Sequence, residues 1–145
     1  IDWDLLGFFA ALFVVINVME HALVLQLIGT GLSTIIDAPP KIAAAGLLAV
    51  SAIFSSVTDN IPLAAMLAKI LQAREHVPEQ LWWSVIFGAN LGGNLTPIGS
   101  ASTLVAVTII HKYKINLSFA GFIRKALPYA LVHIALAIIY VLLFF

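Results

Sequence analysis

The chain contains no cysteine, which excludes a disulfide framework and any thiolate metal site and leaves no redox clue to compartment. Charge is almost as scarce. Asp, Glu, Lys and Arg make up 10% of the 145 residues, and seven basic side chains cancel seven acidic ones. A neutral chain lacks the basic footprint of a nucleic-acid binder, so nucleic acid is not an expected partner. No His-Glu-x-x-His, Gly-x-Ser-x-Gly or Walker-type phosphate loop is present, and the chain is not expected to be an enzyme. Apolar residues are what it has in plenty: 62% hydrophobic, with a mean hydropathy of +1.09. Soluble domains are about half apolar and about a quarter charged, so this composition belongs to an integral membrane protein. The opening Ile1-Asp2-Trp3-Asp4 lacks an initiator Met and a basic stretch; it does not read as a signal peptide but as the continuation of a larger protein or a processed end.

The apolar sequence divides into four segments of an all-α membrane fold: a spanning helix, a re-entrant helical hairpin, a broken helix and a second spanning helix. The first covers 3–29, with Trp3 as an interfacial anchor and Gly29-Thr30-Gly31 as its stop. Glu20 and His21 in its second half either face the bundle or lie near the far headgroups; the second is the expectation. The segment 41–73 has two apolar arms flanking the polar knot Ser55-Ser56-Val57-Thr58-Asp59-Asn60 and Pro62. Each arm of roughly 13 residues gives only about 20 Å of helix, too short to cross, so a hairpin entering and leaving by one face is favoured over two crossings. The segment 79–111 opens with the anchors Trp82 and Trp83 and is a helix interrupted in its middle. The segment 118–145 starts with a short interfacial helix capped by Ser118 and continues from Ala126 as a plain span. Lys112, Lys114, Arg124 and Lys125 outnumber Lys41, Lys69 and Arg74, which places the Lys112–Lys125 loop in the cytoplasm of a cell membrane.

Between Gln80 and Ile110 there is no charged residue, yet the run is broken by Asn90-Leu91-Gly92-Gly93-Asn94-Leu95-Thr96-Pro97-Ile98-Gly99-Ser100. Hydrocarbon supplies no water to an unwound backbone, so such a break persists only within protein or beside a polar cavity. Gly92, Gly93 and Gly99 permit unusual backbone geometry, and Pro97 can start a helix. The arm from Ser100 points N–H groups and a positive dipole end at the break, while the arm ending near Asn90 points carbonyls there. The first suits an anionic or oxygen-rich neutral solute, and the second suits sodium or a proton. Asn90, Asn94, Thr96, Ser100 and Ser102 add neutral donors and acceptors. Gly88 and Gly92 form a Gly-x-x-x-Gly pattern that the break explains better than a packing face. Asp59 is ionisable at membrane depth, which marks function by default, although Asp before Asn60-Ile61-Pro62 also suits a helix cap. His111 and His133 are isolated, and a structural role is expected for each.

Ser55–Pro62 (SSVTDNIP) and Gly88–Leu104 (GANLGGNLTPIGSASTL) resemble the second half of the ion transporter superfamily, more narrowly its ArsB/NhaD-type permeases. Asp2-Trp3-Asp4-Leu5-Leu6-Gly7-Phe8-Phe9 is similar to the start of that repeat. The resemblance implies two inverted repeats, with substrate held between hairpin tips and breaks. It assigns Ser55, Ser56, Thr58, Asp59 and Asn60 to a tip, and Asn90, Gly92, Gly93, Asn94, Thr96, Pro97, Gly99 and Ser100 to a break. Many members carry Ser-Asn where Ser55-Ser56 stands and Asn where Thr103 stands; Thr103-Leu104 looks closer to the arsenite permeases. The expected function is ion-coupled secondary transport of a small inorganic or organic anion, or a neutral oxyacid such as arsenite. Asp59 would exchange a cation or proton, with sodium near Asp59, Asn60 and Asn94 and no resident cofactor. Sodium/proton antiport is the alternative within the class, and a non-transporting membrane scaffold the alternative outside it. Since one repeat makes half a site, the N-terminal half of the same transporter or a second copy, as in a homodimer, is the expected partner within the bilayer.

Overall fold

A computed structural model describes residues 3–145 as seven helices joined by short connections. Ile1 and Asp2, where the resemblance to a repeat start begins, lie outside the described residues. The helices are α1 Trp3–His21, α2 Val24–Ile36, α3 Pro40–Ser55, α4 Asn60–Gln72, α5 Glu79–Gly92, α6 Ala101–Lys112 and α7 Phe119–Phe144. The 26-residue α7 is long and apolar enough to cross a membrane, and the stretch Ala10–Ile36 meets the same test as a pair bent by 75°.

That bend corrects the first expected span. The chain turns at Ala22-Leu23, where Leu23 takes the left-handed conformation at φ 61°. Such a conformation costs a non-glycine residue about 1–2 kcal/mol. The expected stop at Gly29-Thr30-Gly31 lies inside α2 instead. A helical glycine costs only about 1 kcal/mol relative to alanine, and here Gly29 lets α2 approach α4: a Cβ added there would lie 3.2 Å from the Ile70 methyl.

The two apolar arms appear as α3 and α4, turning over Ser56–Asp59. They do not lie mainly against one another. The most extensive helix pairing is α3 with α5, and α7 packs across both. Leu47, Leu48, Ser51, Ala52, Leu81, Ser84 and Ala89 are almost wholly buried in this seam. Gly88 and Gly92 make it close. A Cβ on Gly88 would come 2.5 Å from the Leu48 carbonyl oxygen, and one on Gly92 would come 2.1 Å from that of Ala52. The Gly-x-x-x-Gly pattern is therefore a packing face, contrary to the sequence expectation, and brings two backbones together as small residues do in membranes.

At the end of the bundle, Trp83 stacks on Phe87 and Phe145 with ring centroids 5.7 and 5.3 Å apart, and its Nε1 donates to Glu79 Oε1 at 3.1 Å. This amphipathic placement is what an interfacial anchor requires. The last segment differs from the expectation of an interfacial helix followed by a separate span. Ser118 does cap it, accepting from the Gly121 N–H, but α7 runs unbroken through Pro128, and Arg124 and Lys125 sit on it rather than in a loop.

Candidate functional site

The polar knot and the break meet. Ser55, fully buried, donates its hydroxyl to the Ala89 carbonyl in the last turn of α5. Thr96 in the break donates to the Ser56 carbonyl at the tip. Asn60 Nδ2 donates to Asn90 Oδ1 at 3.3 Å. The backbones touch as well: a Cβ on Gly99 would lie 2.8 Å from the Ser55 carbonyl oxygen and 2.7 Å from that of Gly93. Gly92, Gly93 and Gly99 are thus required by close approach. None of the described glycines has a positive φ, so the unusual geometry anticipated for them is not what they supply.

Four helix ends converge through these contacts. The carboxyl ends of α3 and α5 meet at Ser55 and Ala89, and the amino ends of α4 and α6 arrive at Asn60 and Ser100. Each helix end carries a partial charge of about half a unit, positive at amino ends and negative at carboxyl ends. Two of each sign therefore surround one junction, with neutral amides and hydroxyls between them. Asn90 is exposed at its rim, and Asp59, Asn60 and Asn94 are half-buried beside it.

The side chains divide into those that bridge the two elements and those that cap their own helix. Ser55, Asn60, Asn90 and Thr96 bridge. Asp59 Oδ1 accepts from the Ile61 N–H at 2.9 Å, so the carboxylate caps α4 and lies over its positive end. Ser56 and Thr58 return their hydroxyls to the Ile53 and Phe54 carbonyls. Asn94 donates to the Asn90 carbonyl at 3.3 Å, beside but not across the junction. Ser100 caps α6 through the Thr103 N–H, and its hydroxyl lies 3.0 Å from that of Ser102 and 3.1 Å from that of Thr103. Thr103 also donates to the Pro97 carbonyl, tying the break to α6. Thr103 was weighed in the sequence only as a departure from a family pattern. Its burial in an otherwise exposed helix marks it as part of the structure behind the break. Among the described residues, no group of three or more His, Asp or Glu side chains is placed to hold a metal ion.

The model of the citrate transporter family matches residues 1–88, which run from the start of the chain through the first turns of α5. The "46 kDa membrane protein" of Mycobacterium leprae is 32% identical over 97% of this chain and 34% of its own length. An uncharacterized transporter of Mycobacterium tuberculosis is 32% identical with the same coverage. The human P protein is 34% identical over 98% of this chain and 18% of its own length. These alignments take in the break that lies beyond the family match. The chain spans about a third of the mycobacterial relatives and less than a fifth of the P protein. No solved structure matches. With more than half of its residues matched by that family's model, this integral membrane chain belongs to the citrate transporter family.

Proposed function

We propose that the tip–break junction is one half of the substrate site of an ion-coupled secondary transporter for a small, oxygen-rich solute, either an anion or a neutral oxyacid such as arsenite. The observation that carries this reading is the meeting of two amino and two carboxyl helix ends at the tip–break junction, bridged by the Asn60–Asn90 amide pair on one side and by the Ser55–Gly99 approach on the other. Amino ends and amides suit anionic or hydroxyl oxygens, while carbonyl ends suit a coupling cation or a proton. In this reading sodium binds near Asp59, Asn60 and Asn94, with the uncapped oxygen of Asp59 as its charged ligand. The family's name, citrate transporter, supports a carboxylate as another solute of the same chemistry.

Helix α6 buries only Thr103, while Leu104, Val105 and Ile109 remain exposed. A second hairpin-and-break unit, in the same polypeptide or in a second copy, would complete the site. The Lys112–Lys125 stretch would face the cytoplasm. The test is transport by the full-length protein in liposomes, offered arsenite, citrate, and a sodium gradient against an internal pH dye. Asn60→Ala and Asn90→Ala, checked for correct folding, should each lower solute uptake at least about tenfold, the weight of a lost hydrogen bond to a charged group. Sodium/proton exchange with no solute uptake would select the antiport reading. Unchanged transport of every probe in both variants would remove the junction from the site.

A further inference from the structure

A second polar feature lies at the other end of α4, about 15 Å along the helix from Asn60. The α1–α2 bend opens a cavity of about 500 Å³ against the last turn of α4. That falls in the range of about 300–1,000 Å³ typical of small-ligand sites. One wall is a stripe along α2, Gln26, Gly29, Thr30 and Ser33, and the opposite wall carries Lys69 and Arg74. These α2 positions are spaced for one helix face, so α2 turns a polar stripe toward the cavity. The tip–break junction does not use it.

The charges at the cavity are paired but not saturated. Lys69 Nζ pairs with Glu20 at 3.1 Å, and Arg74 Nη1 pairs with Asp37. Both cations and Glu20 line the cavity, with Asp37 just behind Arg74, so each cation keeps a carboxylate partner while its remaining donors face the cavity. A guanidinium carries five N–H donors and an ammonium three, far more than these pairs use. The Thr30 and Ser33 hydroxyls donate to the Gln26 and Thr30 carbonyls, so they turn lone pairs outward, where they can accept from a ligand hydroxyl. Leu23 lines the rim, and Leu27 one turn further on is 73% exposed. The neighbouring turn carries Glu75 and His76 in exposed positions, which sets the opening where polar connections meet apolar helices.

We propose that this cavity binds a phosphate group, supplied either by the headgroup of an anionic phospholipid or by free phosphate. Arg74 and Lys69 hold the phosphate oxygens. Gln26, Thr30 and Ser33 accept from the hydroxyls of a polyol headgroup or of a protonated phosphate. Occupancy links α4 to the α1–α2 bend and is independent of what passes through the junction.

The probes are phosphatidylglycerol, phosphatidylcholine and inorganic phosphate, each titrated against the full-length protein in detergent, with thermal midpoint as the readout. Saturable stabilisation by phosphatidylglycerol but not phosphatidylcholine identifies a lipid headgroup; saturable stabilisation by inorganic phosphate identifies the free ion. Either response should weaken at least about tenfold in Arg74→Gln. Because Arg74→Gln also breaks a pair, Thr30→Trp supplies a second variant that fills the cavity and leaves both ion pairs in place; it should abolish the response. No saturable response to either phosphate probe overturns the proposal, as does a response that Thr30→Trp leaves intact. Transport is not measured, so this outcome stands apart from the fate of the junction.

Discussion

Gly92→Ala separates two uses of a glycine that the sequence alone leaves entangled. The backbone at Gly92 poses no obstacle to alanine, because the residue is helical and no described glycine has a positive φ. If it serves the α3–α5 seam, the added methyl carbon must fit where the Ala52 carbonyl oxygen is 2.1 Å away and the Ala52 Cα 2.4 Å away. Both obstacles are backbone, so no side-chain rotation relieves them. The helices must part by about 1 Å to reach tolerable contact, which opens the seam around Ser51, Ser55 and Ala89. Overpacking a well-filled core costs about 1–3 kcal/mol, and with backbone on both sides the upper end applies. The measurement is thermal unfolding of the full-length protein in detergent, with Gly31→Ala as the control. A Cβ on Gly31 meets nothing within 4 Å, so that change should stabilise by up to about 1 kcal/mol through helix propensity. Gly92→Ala as stable as the unsubstituted protein would refute the packing argument.

Three further outcomes follow from the same geometry. Asp59→Asn keeps an N-cap and should cost only a few tenths of a kcal/mol, whereas Asp59→Ala should cost about 1 kcal/mol; if thermal unfolding ranks them equally, the carboxylate is not acting as a cap. Ser51 Oγ is buried without a hydrogen-bond partner among the described residues, while Ser55 donates to Ala89. Ser51→Ala should therefore be neutral or stabilising and Ser55→Ala should cost about 0.5–1.5 kcal/mol in the same assay. The Lys69–Glu20 side chains are 45% and 48% exposed, so a double-mutant cycle on Lys69→Gln and Glu20→Gln should give a coupling below about 1 kcal/mol.

The two polar interruptions were the most legible part of the sequence. Ser55–Pro62 and Gly92–Ser100 punctuate apolar runs with residues that stop helices, and the helices do stop there: α3 at Ser55, α5 at Gly92, with α6 resuming at Ala101. The bend at Ala22-Leu23 was not legible, because it uses no glycine or proline. Leu23 takes its positive φ in a turn whose neighbourhood is tied to α4 by the Lys69–Glu20 pair. Propensity instead pointed to Gly29 and Gly31, which α2 absorbs. The α3–α5 seam had a signal that was misread. Ser84, Gly88 and Gly92 recur every four residues and form one continuous small face, opposed by Ala52 and Ser51 on a helix more than thirty residues earlier. Recognising it required knowing which helix lay opposite, and no local pattern carries that.

The seam and the junction are consequences of one arrangement. Gly88 and Gly92 draw α3 and α5 together until their carboxyl ends lie side by side at Ser55 and Ala89. Two negative helix ends placed so close repel one another, and the positive ends of α4 and α6 offset this by arriving at the same place. A free carboxylate at membrane depth would cost several kcal/mol; helix ends and amides hold only partial charges and avoid that cost. Asp59 fits the same logic, since its Oδ1 is set against the Ile61 N–H at the amino end of α4 rather than left unpaired. The backbone ends at the junction therefore supply both signs of partial charge, with the Asp59 carboxylate as the full charge beside them. Under the proposed transport reading this is what ion coupling requires: a cation near the carbonyl ends would tip the balance and strengthen binding of an anion at the amino ends.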